Sequence, residues 1–184
     1  MLMIAKSDNQ QARMVMSYPA VVQGCLETLE QAQQFLLDIE DRHYVTPAAP
    51  YVSSSIGEHF RHWLDIFHAI RLASEEIDYN QRRRGHAVEH SIEQAQAEIA
   101  QLTTWLGNLS DEAAVMKVSV TSEVTLYQTR IAEMQSTLER ELAFAALHAN
   151  HHFAMAKVAA QVMQVETNST FGIAPATATY IRGE

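Results

Sequence analysis

Apolar residues recur every three or four positions in four stretches of the chain, the spacing that places them on one face of an α-helix. The first stretch ends before a loop marked by Pro47 and Pro50, and the second begins after a serine run that can cap a helix. The four stretches span residues 19–42, 56–77, 87–106 and 136–165. This pattern predicts four main helices joined by loops.

The period of the pattern changes between the third and fourth helices. Residues 115–121 alternate between polar and apolar side chains, and residues 124–127 form a second β-prone run. Two such runs, separated by a short polar stretch, indicate a hairpin. The predicted fold class is therefore all-α: an antiparallel four-helix bundle with a short β-hairpin inserted before the last long helix.

The length and composition predict one domain. The chain has 184 residues, of which 47% are hydrophobic, enough to build a single sizeable core. We expect that domain to span residues 1–184, with residues 1–16 forming at most a poorly defined N-terminal extension because their periodicity is weak. Residues 171–177 are expected to form a loop before a short apolar terminus.

Charge and cysteine content exclude several classes of partner. The net charge is −9, and the basic residues form no stripe beyond Arg82–Arg84, so we expect no nucleic acid partner. Cys25 is the single cysteine, which excludes an internal disulfide. The longest apolar segment, residues 142–165, contains histidine, asparagine and lysine side chains that are costly in lipid. With no recognisable signal peptide, these features predict a cytoplasmic protein without a membrane span.

Histidines form a cluster on each of two predicted helices. His148 and His152 are spaced i, i+4 on the last helix, while His59 and His62 are three residues apart on the second. An i, i+4 pair and one imidazole from a facing helix make a three-nitrogen site with open coordination positions, as in catalytic metal centres. We favour His62, His148 and His152 as ligands. His59 or His151 fits geometrically as well, because each lies within one turn of a favoured ligand.

Other polar residues lie close to these clusters in the sequence. Asp65, one turn beyond the second-helix histidines, can accept a ligand's second ring N–H or be a solvated carboxylate. Arg140 and Glu141, two turns before the last cluster, form either a buried network or an exposed charged turn. Tyr79 with Arg82–Arg84 offers a phenol and a cation for an anionic substrate, or forms a solvated turn.

Three motifs of the chain occur together in an order typical of one protein superfamily. They are the string Ser55-Ile56-Gly57-Glu58-His59-Phe60-Arg61-His62, then Asp78-Tyr79 followed by arginines and Glu89, and finally His148-x-x-His151-His152. In these motifs, and over most of its length, the chain resembles the DinB/YfiT-like superfamily of metal-dependent proteins. The resemblance implies a four-helix bundle, commonly dimeric, that holds nickel or zinc with one histidine of the second helix and an i, i+4 pair of the fourth. Those ligands would be His62, His148 and His152.

The resemblance also implies a class of function. Some members of the superfamily use the metal to activate a low-molecular-weight thiol for transfer or isomerisation. We therefore expect a homodimeric, metal-dependent transferase, isomerase or hydrolase that acts on a small-molecule substrate. The alternative is a non-catalytic, stress-related helical bundle that binds a metal or another ligand. An open coordination position favours the enzyme, whereas a fourth protein ligand, such as His59 or His151, would favour the alternative.

Overall fold

The computed structural model describes residues 18–184, so the predicted extension at residues 1–16 lies outside the described residues. Four long helices form most of the described chain: α1 (Ala20–Asp38), α3 (Ile56–Leu72), α4 (Ile92–Gly107) and α6 (Leu138–Val162). Three shorter helices are α2 (Asp41–Val45), α5 (Asp111–Ala114) and α7 (Pro175–Arg182), and residues Ala87–Glu89 form a 3-10 turn. The strands are β1 (Glu76–Asp78), β2 (Lys117–Glu123) and β3 (Ile131–Thr137).

The core lies among the four long helices. α1 and α3 each contact both α4 and α6. Trp63, Phe60 and Phe153 are buried at the α3–α6 contact, with ring centroids 5.5 to 6.2 Å apart. α6 presents the fully buried alanines Ala149 and Ala156 to this core, and small side chains let its neighbours approach closely. The packing places the histidine-bearing sides of α3 and α6 opposite each other.

A three-stranded sheet makes the fold mixed α/β, so the predicted all-α four-helix bundle is wrong. The strand order is β1-β2-β3; β1 pairs with β2 in parallel and β2 with β3 antiparallel. The predicted second helix was expected to continue to Ile77, but α3 ends at Leu72 and Ile77 lies buried in β1. Helical periodicity could not reveal this strand, because its partner lies about 40 residues away in sequence and pairing of that kind is non-local.

The antiparallel pair β2–β3 is a hairpin whose second strand differs from the expected one. β2 overlaps the first predicted run, but residues 124–127 lie in the connection and β3 begins at Ile131, opposite Glu123. Leu126 and Tyr127 are 93% and 97% exposed. Their β-propensity was misleading, because a high propensity reflects packing of the side chain on a half-buried sheet face. These two side chains pack on no such face.

The segment after α6 folds back against the helical core. Phe171 stacks on Phe35 and on Phe153, with ring centroids 4.2 and 5.0 Å apart. The expected terminal loop is partly helical, since Pro175–Arg182 forms α7 with proline in its first turn. Within residues 18–184, we find no helix with the length and apolar character required to cross a membrane.

Candidate metal centre

A cap at the start of α3 sets the position of its histidines. The Ser55 hydroxyl accepts a hydrogen bond from the Glu58 N–H at 3.1 Å, and the Glu58 carboxylate accepts one from the Ser55 N–H at 2.7 Å. This capping box fixes the first turn of the helix. His59 and His62 follow within one turn of it, on the side of α3 that meets α6.

Two further histidines come from the middle of α6. His148 and His152 are one turn apart, with ring centroids separated by 4.7 Å, and both side chains are half-buried. The alanines that pack α6 against the core lie on the adjoining face, so the backbone that carries the two rings is held rigidly.

The rings of His62, His148 and His152 converge through their Nε2 atoms. His62 Nε2 lies 3.0 Å from His148 Nε2, which lies 3.1 Å from His152 Nε2. One nitrogen atom from each ring lies within 4.8 Å of those from the other two. The structure thus brings together the three residues that the sequence favoured, and they lie close enough to hold a metal ion.

Two of the three spacings between these nitrogen atoms match those of a divalent first-row metal site. Metal–nitrogen bonds of about 2.0–2.1 Å at right angles would hold neighbouring nitrogens roughly 2.9 Å apart, and at tetrahedral angles roughly 3.4 Å apart. The observed 3.0 and 3.1 Å lie between these values. Within residues 18–184, no fourth histidine, cysteine or carboxylate joins the group. A metal held here would keep coordination positions open.

Electrostatics keep the clustered rings neutral near pH 7. Burial, followed by the charges of Arg82 and His148, lowers the pKa of His62 to about 4. Burial and the neighbouring imidazoles lower the pKa of His152 to about 2, and burial likewise lowers the pKa of His148. Neutral imidazoles have a lone pair available, and metal ligation requires one.

The two secondary candidates occupy different positions. His59 Nδ1 lies 2.9 Å from His152 Nδ1, on the side of that ring opposite the Nε2 cluster. His59 therefore lies outside the convergent group and is a hydrogen-bond partner of one of its members. His151 is exposed, and its ring centroid lies 6.4 Å from that of His148. Neither residue belongs to the convergent group.

Arg82 contacts His62 at Nδ1, the ring nitrogen that points away from the cluster. The sequence did not predict this contact. The Arg82 Nη1 atom lies 2.6 Å from His62 Nδ1. Asp65 was expected to accept a hydrogen bond from a histidine of this helix, but two other arginines bind it instead. Arg61 Nη1 lies 3.2 Å from Asp65 Oδ2, and the Arg83 backbone N–H donates to the same oxygen at 3.1 Å.

The loop that carries Arg82 is anchored by a buried charge network. Arg83 also bonds Asp65 through Nε, and its Nη1 and Nη2 donate to the Glu98 carboxylate at 2.8 and 2.9 Å. His68 Nε2 lies 2.8 Å from the same carboxylate. Sequence reasoning missed Glu98, because a single glutamate on an amphipathic helix carries no local sign of a partner in a distant loop.

A second polar group, centred on Glu141, is separated from the histidines by the ring of Phe144. The Tyr79 and Ser136 hydroxyls donate to the Glu141 carboxylate at 2.7 and 2.6 Å, and Glu141 is only 5% exposed. These residues line a cavity of about 260 Å³ together with Phe144, whose ring centroid lies 5.5 Å from that of His148. Glu141 thus belongs to a buried network, as one of the two alternatives predicted, whereas Arg140 is exposed.

The chain was compared with family models, with curated proteins and with solved structures. None of the three comparisons finds a match.

Proposed function

We propose that this protein binds one divalent metal ion through the Nε2 atoms of His62, His148 and His152 and offers its open coordination positions to a small molecule. The observation that supports this is the convergence of three ring nitrogens within 4.8 Å from two packed helices. Structural metal sites are closed by a fourth protein ligand, whereas sites that act on a substrate keep a position open. The three-ligand group therefore favours a reactive centre.

The proposed activity is that of a metal-dependent transferase or isomerase that uses a low-molecular-weight thiol, or of a hydrolase that uses water. A bound divalent cation lowers the pKa of a coordinated thiol or water and so makes a nucleophile available at neutral pH. The motif resemblance to the DinB/YfiT-like superfamily supports nickel or zinc as the metal and a thiol as cosubstrate. It is also the basis for proposing a homodimer.

Within the chain, each histidine has a separate proposed role. His62, His148 and His152 supply the ligand atoms. His59 orients His152 by sharing a hydrogen bond between their Nδ1 atoms, which lie 2.9 Å apart. Such outer partners fix the orientation and tautomer of a metal-bound imidazole, and their loss weakens metal affinity by roughly 10- to 100-fold.

Metal content of purified protein tests the proposal directly. We expect about one nickel or zinc ion per chain by elemental analysis, with affinity then measured by isothermal titration calorimetry. His62→Ala, His148→Ala and His152→Ala should each weaken metal affinity by more than about 100-fold, because each removes a ligand. His59→Ala should weaken it by roughly tenfold, because it removes only an outer partner.

His151→Ala is the matched control for this experiment. His151 lies on the same helix between the two α6 ligands but is exposed, so its removal should leave metal affinity unchanged. Wild-type affinity in all three ligand variants, or a loss with His151→Ala as large as with His152→Ala, would contradict the assignment. An assay of thiol transfer with and without chelator then tests for turnover.

A non-catalytic metal- or ligand-binding role is the second candidate, and the state of the nearby carboxylates favours it. Asp65 is bound by two arginines, and Glu141 by the Tyr79 and Ser136 hydroxyls, so neither offers a free carboxylate for general acid–base work. Metal binding without chelator-sensitive turnover over a panel of thiols and electrophiles would select this candidate.

A further inference from the structure

The contact between Arg82 and His62 fixes the position of a proton. A guanidinium group has only N–H donors, so Arg82 Nη1 donates to His62 Nδ1 across their 2.6 Å separation. His62 Nδ1 therefore carries no proton of its own. A neutral imidazole then carries its proton on Nε2, the atom that points into the histidine cluster.

The contact between His62 and His148 agrees with this assignment. His62 Nε2–H points to His148 Nε2 at 3.0 Å, and the one lone pair of that nitrogen can accept this proton. His59 and His152 share a further hydrogen bond between their Nδ1 atoms, which lie 2.9 Å apart. The contacts from Arg82 to His62 and from His62 to His148 thus each have one donor and one acceptor.

A metal ion on the three Nε2 atoms would require a different proton order. His62 and His152 would have to carry their protons on Nδ1. At His152 the change is possible, because Nδ1–H can donate to His59 Nδ1; the His59 proton then lies on Nε2, a buried atom with no hydrogen-bond partner within residues 18–184. At His62 a ring N–H would face the N–H of Arg82, and two donors cannot share a hydrogen bond. Arg82 and the metal therefore exclude each other at His62.

The structure allows the Arg82 side chain to leave without moving its loop. The Arg83 backbone N–H donates to Asp65, the Arg83 side chain donates to Glu98 at 2.8 and 2.9 Å, and the Gly85 N–H donates to Glu89 at 3.0 Å. Arg82 itself is exposed, so its side chain can rotate into solvent once its hydrogen bond to His62 is broken. The released guanidinium would remain tethered beside the metal.

Within residues 18–184, the carboxylates near this guanidinium leave it available to a ligand. Asp65, whose charge reaches Arg82, is already bound by Arg61 and Arg83. Glu123, the other carboxylate whose charge reaches it, is exposed, and a solvent-exposed ion pair is weak. A guanidinium next to a divalent cation is instead suited to a planar oxyanion, which it can bind through two parallel N–H donors.

We propose that Arg82 holds His62 in the metal-free protein and that metal binding releases it to bind the carboxylate, or a similar planar oxyanion, of a ligand at the metal. This inference rests on the proposed function and gives its substrate class: small anionic molecules.

Nickel titration tests the first half of the inference. Arg82→Ala should tighten nickel affinity by about tenfold, because a hydrogen bond from a charged donor no longer competes for His62. Arg84→Ala is the matched control, since it removes an equal and also exposed charge two residues away. That control should change affinity by no more than about threefold, as expected for an exposed charge. Equal affinity in wild type and Arg82→Ala would overturn the inference.

Anion binding tests the second half. With cobalt(II) in the site, acetate can be titrated against the visible absorption spectrum of the metal. Arg82→Ala should weaken acetate binding by about tenfold because the guanidinium contact is lost, whereas Arg84→Ala should match wild type. Acetate affinity that is unchanged in Arg82→Ala would overturn the inference even if nickel binding tightens.

Imidazole ¹⁵N spectra give a readout that needs no bound ligand. In metal-free wild-type protein, His62 should be the Nε2–H tautomer, and Arg82→Ala should shift it toward Nδ1–H. An Nδ1–H tautomer in the wild type would overturn the inference. Wild-type protein that binds no metal would overturn both proposals, whereas metal binding that is insensitive to Arg82 would overturn this one alone.

Discussion

At the scale of single residues, Glu98 illustrates how one carboxylate holds the loop that carries Arg82. Burial works to raise the pKa of Glu98, but hydrogen bonds and charges from His68 and Arg83 outweigh it and lower the pKa to about 2. The ordinary value for a glutamate is 4.5. The carboxylate is therefore more stable as an anion in the folded protein than in the unfolded chain, and the difference stabilises the fold.

The resulting pH dependence has a definite sign. A carboxylate with a lowered folded-state pKa contributes its stability above pH 4.5, and that contribution is lost as the pH falls from 4.5 toward 2. A shift of this size corresponds to roughly 3 kcal/mol. We expect the free energy of unfolding, measured by urea titration, to fall through this pH range. In Glu98→Gln it should be lower at pH 6 and fall less steeply.

Glu93→Gln provides the control for the Glu98 measurement. Glu93 lies on the same helix and is exposed. Its variant should show the wild-type pH profile. A Glu98→Gln profile parallel to that of wild type between pH 4.5 and 2 would mean that Glu98 does not supply this stability.

At the scale of elements, the start of α3 depends on a glycine. A Cβ atom added to Gly57 would lie 2.1 Å from the Glu89 carbonyl oxygen and 2.8 Å from the Tyr44 ring. The close approach joins the first turn of α3 to the 3-10 turn at Ala87–Glu89, and Tyr44 donates to the Val88 carbonyl at 2.8 Å beside it. The helix that carries His62 is therefore positioned by backbone contact rather than by side-chain packing alone.

A pair of glycine substitutions tests this contact. Gly57→Ala should lower the free energy of unfolding by about 2 kcal/mol or more, because the backbone must move apart to admit the methyl group. It should also weaken metal binding, since α3 shifts relative to α6. Gly24→Ala, inside α1 with no neighbouring atom of residues 18–184 within 4 Å of its Cβ, should raise the free energy of unfolding by about 1 kcal/mol. Urea denaturation and nickel titration would measure both effects, and equal stabilities of the two variants would contradict the argument.

The elements also show what a sequence can and cannot reveal. The histidine pairs could be predicted because i, i+3 and i, i+4 spacings are local properties of a helix. The distinction between His62, which faces the cluster, and His59, which backs His152, depends on the angle at which α3 meets α6. The contact of Arg82 with His62 depends on a loop fixed by Glu98 from another helix. Such relations are tertiary and leave no periodic sign in the sequence.

At the scale of the whole molecule, the sheet is connected directly to the histidine centre along the chain. β1 ends at Asp78, and the chain then passes directly into the loop that carries Arg82. The predicted description, a helical bundle with an inserted hairpin, was wrong because β2 also pairs in parallel with β1. Helical periodicity predicted the four long helices, but a three-residue strand with a distant partner is too short to give a pattern.

The parallel pairing of β1 with β2 has a consequence for the order in which the protein folds. The Ser119 N–H donates to the Glu75 carbonyl and the Tyr79 N–H to the Thr121 carbonyl, both at 3.0 Å, across a connection that contains all of α4. Closing so long a connection costs chain entropy before any contact is gained, whereas helices and the β2–β3 hairpin form locally. We therefore expect β1 to join the structure after the folding transition state.

Folding kinetics test this order through the buried Ile77 of β1. Ile77→Ala should speed unfolding by roughly 30-fold or more while leaving the folding rate nearly unchanged, as measured by stopped-flow mixing in urea. A comparable slowing of folding would place β1 in the transition state instead. Because β1 leads into the Arg82 loop, we then expect the arginine side of the histidine centre to be completed only after the long helices have packed.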